Sequence, residues 1–159
     1  MNSYATLPLA EWISSWNAWK GFYSRLQIEL NDGNWKYVDN PSGGFLCFWW
    51  HSQGDETCEQ YLQLEQDKFC FKIWVQDPTK RSELRTYWYE TLVAEAPKHG
   101  LKLKRPDRFG NGECMTVALL DQEHLITNSQ GLIEITEVCS MIRSVEALLC
   151  ACDQTKQLH

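Results

Sequence analysis

The first thirty residues repeat apolar side chains every three or four positions. The repeating residues are Leu9, Trp12, Trp16, Trp19, Tyr23, Leu26 and Leu30. Because residues three and four apart share one face of an α-helix, the pattern predicts a helix that packs an aromatic seam across a sheet. A helix–helix dimer through the same seam is the alternative. Pro8 suits the first turn of such a helix, and the polar residues 31–34 around Gly33 supply a stop.

Residues 35–76 carry patterns that are typical of β-strands. The run Phe45–Ser52 is apolar at successive positions, so we predict a central strand that is buried on both faces. Gln60–Gln66 and Lys68–Gln76 alternate apolar and polar residues across a short turn, which predicts an antiparallel hairpin. The segment Trp35–Asp39 predicts a short extended piece before a turn that is rich in Pro and Gly.

The second half of the chain mixes helical and extended patterns. Residues 80–97 predict a second helix, and Leu101–Arg105 and Glu113–Asp121 predict strands on either side of a turn-rich loop. A short extended piece falls near Leu132–Ile135. The last helix is predicted to start after Thr136, a residue type that is favoured as an N-cap.

Together these elements predict an α+β fold. We expect an antiparallel sheet of about five to seven strands packed against three helices, in the order α-β-β-β-β-α-β-β-(β)-α. The length of 159 residues fits one domain, residues 1–159. The polar tail, residues 153–159, is expected to fray.

The chain contains eight Trp, six Tyr and six Phe. Burying each ring removes about 150–250 Å² from water, so an aromatic core accounts for most of them. Some rings could instead be exposed for stacking, and Trp74 and Trp88 are the better candidates for a surface role. No apolar run reaches the length of about 18 residues that crosses a membrane, so we expect a cytoplasmic protein. The seven cysteines form no Cys-x-x-Cys pair, so we expect reduced thiols and no bound metal.

The charges are distributed unevenly along the chain. The net charge is −6, which disfavours a free-standing nucleic-acid binder. Between Lys80 and Arg108, however, eight Lys and Arg face four acids, a net charge of +4. Strand alternation places Lys102 and Lys104 on one face. We predict a cationic ridge, which would either contact phosphates or form an ordinary solvated face. Its residues are Arg81, Arg85, Lys98, Lys102, Lys104, Arg105 and Arg108.

The order of helix, antiparallel strands, helix and strand resembles the α-β-β-β-α-β core of the PD-(D/E)XK nucleases. That resemblance implies carboxylates that hold Mg²⁺ and a lysine near the attacking water. In the two hairpin strands, Glu65 and Lys72 are the candidates for these roles. No acid-x-Lys triplet occurs in either strand. A solvent-facing charge pair across the hairpin is the alternative interpretation of these two residues.

A more specific resemblance covers roughly residues 10–150. The runs FLCFWW, YLQLEQDKFCFKIWV and GECMTVALL resemble the C-terminal region of bacterial proteins of the PD-(D/E)XK nuclease superfamily. In those proteins a region of this kind follows the nuclease core, which these residues do not include. The resemblance implies an accessory domain from a bacterial or phage defence setting, and it carries over no catalytic residue.

From the sequence we therefore expect a non-enzymatic interaction or accessory module that binds a protein partner, within a nuclease-linked defence system. One alternative is a degenerate, metal-dependent nuclease that uses Glu65, Lys72 and Mg²⁺. Another is a small nucleic-acid-binding protein that uses the cationic ridge and an exposed Trp. His51 and His124 have no motif around them, although Cys/His catalytic groups meet only in space.

Overall fold

A six-stranded antiparallel sheet lies at the centre of the fold, with three helices beside it. The computed structural model describes residues 7–41, 43–66 and 68–157, without the side chains of Ile13 and residues 154–157. The strands are β1 (Asn34–Val38), β2 (Phe45–Gly54), β3 (Glu59–Glu65), β4 (Lys68–Trp74), β5 (Leu103–Lys104) and β6 (Cys114–Leu120). The helices are α1 (Trp16–Leu30), α2 (Arg81–Glu95) and α3 (Ile135–Gln157), with 3₁₀ helices at Leu9–Ser14, Pro78–Lys80 and Ala96–His99.

The strands follow the order β1-β2-β3-β4-β6-β5, and every neighbouring pair is antiparallel. The predicted α+β class, with three helices on an antiparallel sheet, is confirmed. The predicted hairpin is also present as β3 and β4, whose turn residue Asp67 lies outside the described residues. The extended piece predicted near Leu132–Ile135 is a single bridge between Thr127 and Ile133.

All three helices pack on the same face of the sheet. From α1, Tyr23 stacks on Phe48 of β2 with ring centroids 5.7 Å apart, and its hydroxyl donates to the Leu46 carbonyl at 3.1 Å. From α3, the Leu149 carbonyl accepts a hydrogen bond from Gln53 Nε2 at 2.9 Å. Helix α2 lies against α3 and β6 and contributes Trp88 to the core. Because side chains alternate along a strand, this arrangement buries every second residue of each central strand.

The N-terminal seam consists of two helical segments. Ser15 has an extended backbone, and its Oγ accepts the Ala18 N–H at 3.2 Å, so α1 begins only after it. Trp12 and Trp19 still meet in the core, edge to face at 5.1 Å. Trp16 is 42% exposed. The prediction that one continuous helix buries Trp16 is wrong. The extended backbone at Ser15 separates Leu9–Ser14 from α1, so the spacing of three and four residues no longer places Trp16 on the same face as Trp12 and Trp19.

Two further predictions about aromatic and apolar segments are wrong. Strand β2 is second from the edge of the sheet, and β3 and β4 occupy the centre. Trp88, predicted for a surface role, is completely buried with Leu92 on the side of α2 that faces the core. Trp74 is half-buried on the other face of the sheet. Hydrophobicity alone does not distinguish a buried ring from an exposed one, since both kinds occur in amphipathic elements.

The C-terminal helix begins at Ile135, so Thr136 lies inside its first turn and is not its N-cap. It continues to Gln157, and the tail predicted to fray therefore starts within the helix; residues 158–159 lie outside the described part. None of the helices in the described part is apolar enough over its length to span a membrane. The seven cysteines, all of them described, form no disulfide, and Cys114 and Cys150 are exposed.

Candidate functional site

One face of the sheet has no described helix packed against it. Its side chains line a shallow groove of about 650 Å³, and we call this surface the open face. It consists of Lys36, Val38, Phe45, Cys47, Trp49, Ser52, Glu59, Tyr61, Gln63, Glu65, Lys72, Trp74 and Cys114. These residues come from five of the six strands, and strand alternation turns them away from the helices.

Three half-buried aromatic side chains form a diagonal across the open face. Trp49 of β2 lies opposite Gln63 of β3, which is two residues from Tyr61. Tyr61 lies opposite Lys72 of β4, which is two residues from Trp74. Each step from ring to ring moves one strand sideways and two residues along. With strands about 4.8 Å apart and a rise of about 3.4 Å per residue, neighbouring Cα atoms of the diagonal are separated by about 8 Å. We call Trp49, Tyr61 and Trp74 the aromatic diagonal.

Charged groups of both signs surround the aromatic diagonal. The Lys36 ammonium lies 5.5 Å from the centroid of the Trp49 ring, a cation–π contact. Lys72 Nζ donates to Thr116 Oγ1 at 3.1 Å. The groove is lined by these two lysines and by Glu59 and Glu65, so its formal charge is zero. Such a surface offers hydrogen-bond donors, hydrogen-bond acceptors and charges of both signs around the half-buried rings.

Tyr61 and the buried thiols of Cys47 and Cys70 remain uncharged at neutral pH. Burial, and then the neighbouring Cys114 thiol, raises the pKa of Tyr61, so its hydroxyl keeps its proton. Burial also raises the pKa of Cys47, and that of Cys70 to about 12. These thiols therefore act as small apolar groups between the polar side chains.

The structure places Glu65 and Lys72 on the same face but not at one point. Glu65 lies opposite Lys68, and Lys72 is four residues further along β4. At a rise of about 3.4 Å per residue, their backbones are about 14 Å apart along the strands. Glu65 Oε1 instead accepts a hydrogen bond from Gln63 Nε2 at 2.7 Å. Among the described residues, no group of three or more His, Cys, Asp or Glu is arranged to hold a metal ion. The nuclease role of this pair stays a prediction.

Two arginines of the predicted cationic ridge bind the loop between β5 and β6. Arg81 Nε donates to the Val75 carbonyl at 2.9 Å, and its Nη2 donates to the Gln76 carbonyl at 3.1 Å. Arg85 Nη1 lies 2.7 Å from the Gly110 carbonyl, and its guanidinium lies over the Phe109 ring at 4.7 Å. Arg81 Nη1 also donates to the Asn111 carbonyl of the loop at 3.4 Å. These contacts tie helix α2 to the segment after β4 and to the loop, so both guanidinium groups already have structural partners.

The other ridge residues lie before, in and after the edge strand β5. Lys98 Nζ is 3.1 Å from Glu95, Lys104 Nζ is 3.9 Å from Asp121, and Arg105 lies 4.3 Å from the Phe109 ring centroid. Lys102 and Arg108 are exposed. A two-residue edge strand flanked by lysines also disfavours pairing with another sheet. Anion binding by the ridge stays a prediction.

A cluster that the sequence did not reveal lies on the helix side of β2. The β2–β3 register shifts between Trp50 and Gln53, and His51 has a φ of +61°. This bulge points the His51 ring towards α3. There His51 Nδ1 lies 3.6 Å from Glu146 Oε2, and Nε2 lies 3.4 Å from Cys150 Sγ. Glu146 and Cys150 are four residues apart on one helix, which is the one signal in the sequence for part of this cluster.

The protonation of His51 should make the stability of the protein depend on pH. The neighbouring Glu146 carboxylate raises the pKa of His51 by more than partial burial lowers it. Protonated His51 therefore contributes fully to the free energy of unfolding below its pKa in the unfolded chain, about 6.5. This contribution is lost as pH rises through its higher pKa in the folded protein.

The test uses His51→Asn, which removes the imidazole but keeps a residue type that tolerates positive φ. We expect the unfolding free energy of the wild type to exceed that of the variant by more at about pH 5.5 than at about pH 8. Urea titrations at both pH values measure this difference. A difference that grows with pH would contradict the assignment.

Comparison of the chain with protein-family models, with curated proteins and with solved structures gives no match. The resemblance to the C-terminal region of PD-(D/E)XK nuclease-superfamily proteins therefore stays a prediction. The fold and the geometry of the open face are the observations from which a function can be inferred.

Proposed function

We propose that this chain is a non-enzymatic interaction module that binds a protein partner on its open face. The observation that carries the proposal is the aromatic diagonal of Trp49, Tyr61 and Trp74 on a sheet face without a described helix. Aromatic side chains dominate protein interfaces because they remove a large apolar area from water and retain a polar atom for hydrogen bonding. A partner that covers the groove would complete the burial of these half-exposed rings.

The charges of the open face favour a protein over a nucleic acid. Its two lysines and two glutamates cancel, and the whole chain carries −6. A phosphate backbone laid along the groove would meet the carboxylates of Glu59 and Glu65, and it would gain little from counterion release. A protein surface can instead present acidic groups to the lysines and basic groups to the glutamates, which increases the association rate and the selectivity.

The proposal predicts that shortening two rings of the aromatic diagonal abolishes partner binding. We expect the double variant Trp49→Ala with Trp74→Ala to lose the partner, since each central interface aromatic is worth about 2 kcal/mol or more. Affinity capture from cells of the source organism, with quantitative mass spectrometry, compares the proteins retained by the variant with those retained by the wild type. Circular dichroism checks that the variant remains folded.

The matched control is Ile28→Ala on the outer side of α1, where the side chain is 72% exposed and lies away from the open face. We expect this variant to retain the partner at the level of the wild type. The proposal is wrong if the open-face variant keeps every protein that the wild type binds. It is also wrong if what the wild type retains is removed by nuclease treatment, because the ligand is then a nucleic acid.

A further inference from the structure

His51 has an unusual backbone conformation. Non-glycine residues rarely adopt positive φ, and each such residue costs roughly 1–3 kcal/mol unless its surroundings hold it there. Here the Asp32 carboxylate holds it, by accepting the His51 N–H at 2.9 Å. The bulge allows Ser52 to face the groove, while His51 and Gln53 face α3. The strained backbone at His51 thus places the imidazole in contact with helix α3.

The His51 imidazole lies between a thiol and a carboxylate. Cys150 Sγ lies 3.4 Å from His51 Nε2, and Glu146 Oε2 lies 3.6 Å from His51 Nδ1. Gln53 is oriented by its donation to the Leu149 carbonyl, so its Oε1 faces His51 Nε2 at 3.2 Å as an acceptor. Cys150 is exposed, and the side chains of His51 and Glu146 are 20% and 24% exposed. A small reagent can therefore reach the sulfur.

The surrounding groups favour a protonated imidazole beside the sulfur. Glu146 Oε2 lies 3.6 Å from Nδ1, the charge of Asp32 also favours the imidazolium, and Gln53 Oε1 can accept from Nε2 once that nitrogen has taken up a proton. Burial raises the pKa of Cys150, as do Glu146 and Asp153. Glu146 therefore raises the pKa of both the thiol and the imidazole. The difference between these two pKa values sets how readily the proton moves from sulfur to nitrogen.

We propose that Cys150 is a thiol–disulfide exchange site that reacts with small organic disulfides, with His51 as the proton acceptor and Glu146 and Gln53 as positioning residues. The Cys150 proton passes to His51 Nε2, and the sulfur attacks one sulfur of the reagent. A new S–S bond forms while the S–S bond of the reagent breaks. The departing sulfur leaves as a thiolate and takes the proton back from Nε2. Cys150 is oxidised to a mixed disulfide, and the departing half of the reagent is reduced to a thiol.

The second exposed cysteine is an internal control for this reaction. Cys114 lies on the open face beside Tyr61, a group that cannot accept a proton at neutral pH. The reaction is followed with oxidised glutathione at neutral pH, acid quenching and peptide mass spectrometry of each cysteine. We expect Cys150 in the wild type to react about ten times faster than Cys114 or more. In His51→Asn, Cys150 should slow to about the rate of Cys114, whose own rate stays unchanged.

The buried thiol Cys70, 1% exposed, reports whether a variant is folded, because it reacts only after unfolding. A second variant, Glu146→Gln, tests the positioning role. Removal of that carboxylate should move the midpoint of the pH–rate profile of Cys150 to lower pH and leave the profile of Cys114 in place. The proposal is overturned if Cys150 in the wild type reacts no faster than Cys114. It is also overturned if neither variant, with Cys70 still protected, changes the rate or the profile of Cys150.

Discussion

Replacement of Trp88 by alanine is expected to lower the free energy of unfolding by about 3–5 kcal/mol. The Trp88 side chain is completely buried on the side of α2 that faces the core. Its loss leaves a cavity that the surrounding helices and sheet can fill only in part. Urea unfolding followed by circular dichroism measures the change as a lower midpoint at constant slope.

The indole nitrogen of Trp88 makes the experiment more specific. Trp88 Nε1 is buried and finds no hydrogen-bond acceptor among the described residues. An unpaired buried donor costs about 1–3 kcal/mol, so Trp88→Phe should recover more than half of the stability that Trp88→Ala loses. The control is Val93→Ala on the same helix, 38% exposed, which should change stability by less than about 0.5 kcal/mol. A loss in Trp88→Phe equal to that in Trp88→Ala would contradict this account.

Gly33→Ala is expected to have the second large effect, for a different reason. Gly33 has a φ of +102°, and an added Cβ would lie 2.3 Å from Phe48 Cζ. The Phe48 ring cannot move aside easily, because it is fully buried between Tyr23 and Trp50 at centroid distances of 5.7 and 5.2 Å. Backbone strain of about 1–3 kcal/mol then adds to an overpacking cost of about 1–3 kcal/mol.

Gly43→Ala is the matched control, because it separates the two costs. Gly43 has a similar φ of +106°, but among the described residues, its chain neighbours aside, no atom lies within 4 Å of the added Cβ. Both variants therefore carry the backbone strain, and only Gly33→Ala carries the clash with Phe48. Urea unfolding of the two proteins should show a larger loss for Gly33→Ala by about 1–3 kcal/mol. Equal losses would mean that the core yields at Phe48.

The two proposed sites use opposite sides of strand β2. Ser52 and Trp49 face the groove of the open face, while His51 faces Glu146 and Cys150 on α3. The bulge at His51 allows one strand to serve both surfaces. Partner binding and thiol exchange can therefore be tested independently, with Trp49 variants for the former and His51 variants for the latter.

Much of the fold follows from local patterns. The alternation of apolar and polar residues predicted β3 and β4 and their hairpin, since a strand with one buried face needs a period of two. The same kind of pattern predicted α2, because residues three and four apart share a helix face. The sequence pattern does not show the break at Ser15. The apolar spacing continues from Leu9–Ser14 into α1, because only one residue, Ser15, leaves the helical conformation.

The candidate sites were less accessible to prediction. Arg81 and Arg85 belong to a basic stretch of sequence, yet their guanidinium groups bind backbone carbonyls of the segment after β4 and of the β5–β6 loop. The distribution of charge along the chain cannot show this, because the carbonyl acceptors lie up to 30 residues away. Trp74 was correctly separated from the core, whereas Trp88 was not, since an amphipathic helix and an exposed ring look alike in sequence.

By itself the sequence determined the α+β class, the number of helices, most strand positions and the aromatic core, because these depend on local spacing and on the burial of apolar area. The tertiary structure decided which side of the sheet the helices cover, and hence that Trp49, Tyr61 and Trp74 share an uncovered groove. It also decided that a bulge turns His51 towards Cys150, 99 residues away. Contacts of that range depend on how the elements pack together, and no local period in the chain records them.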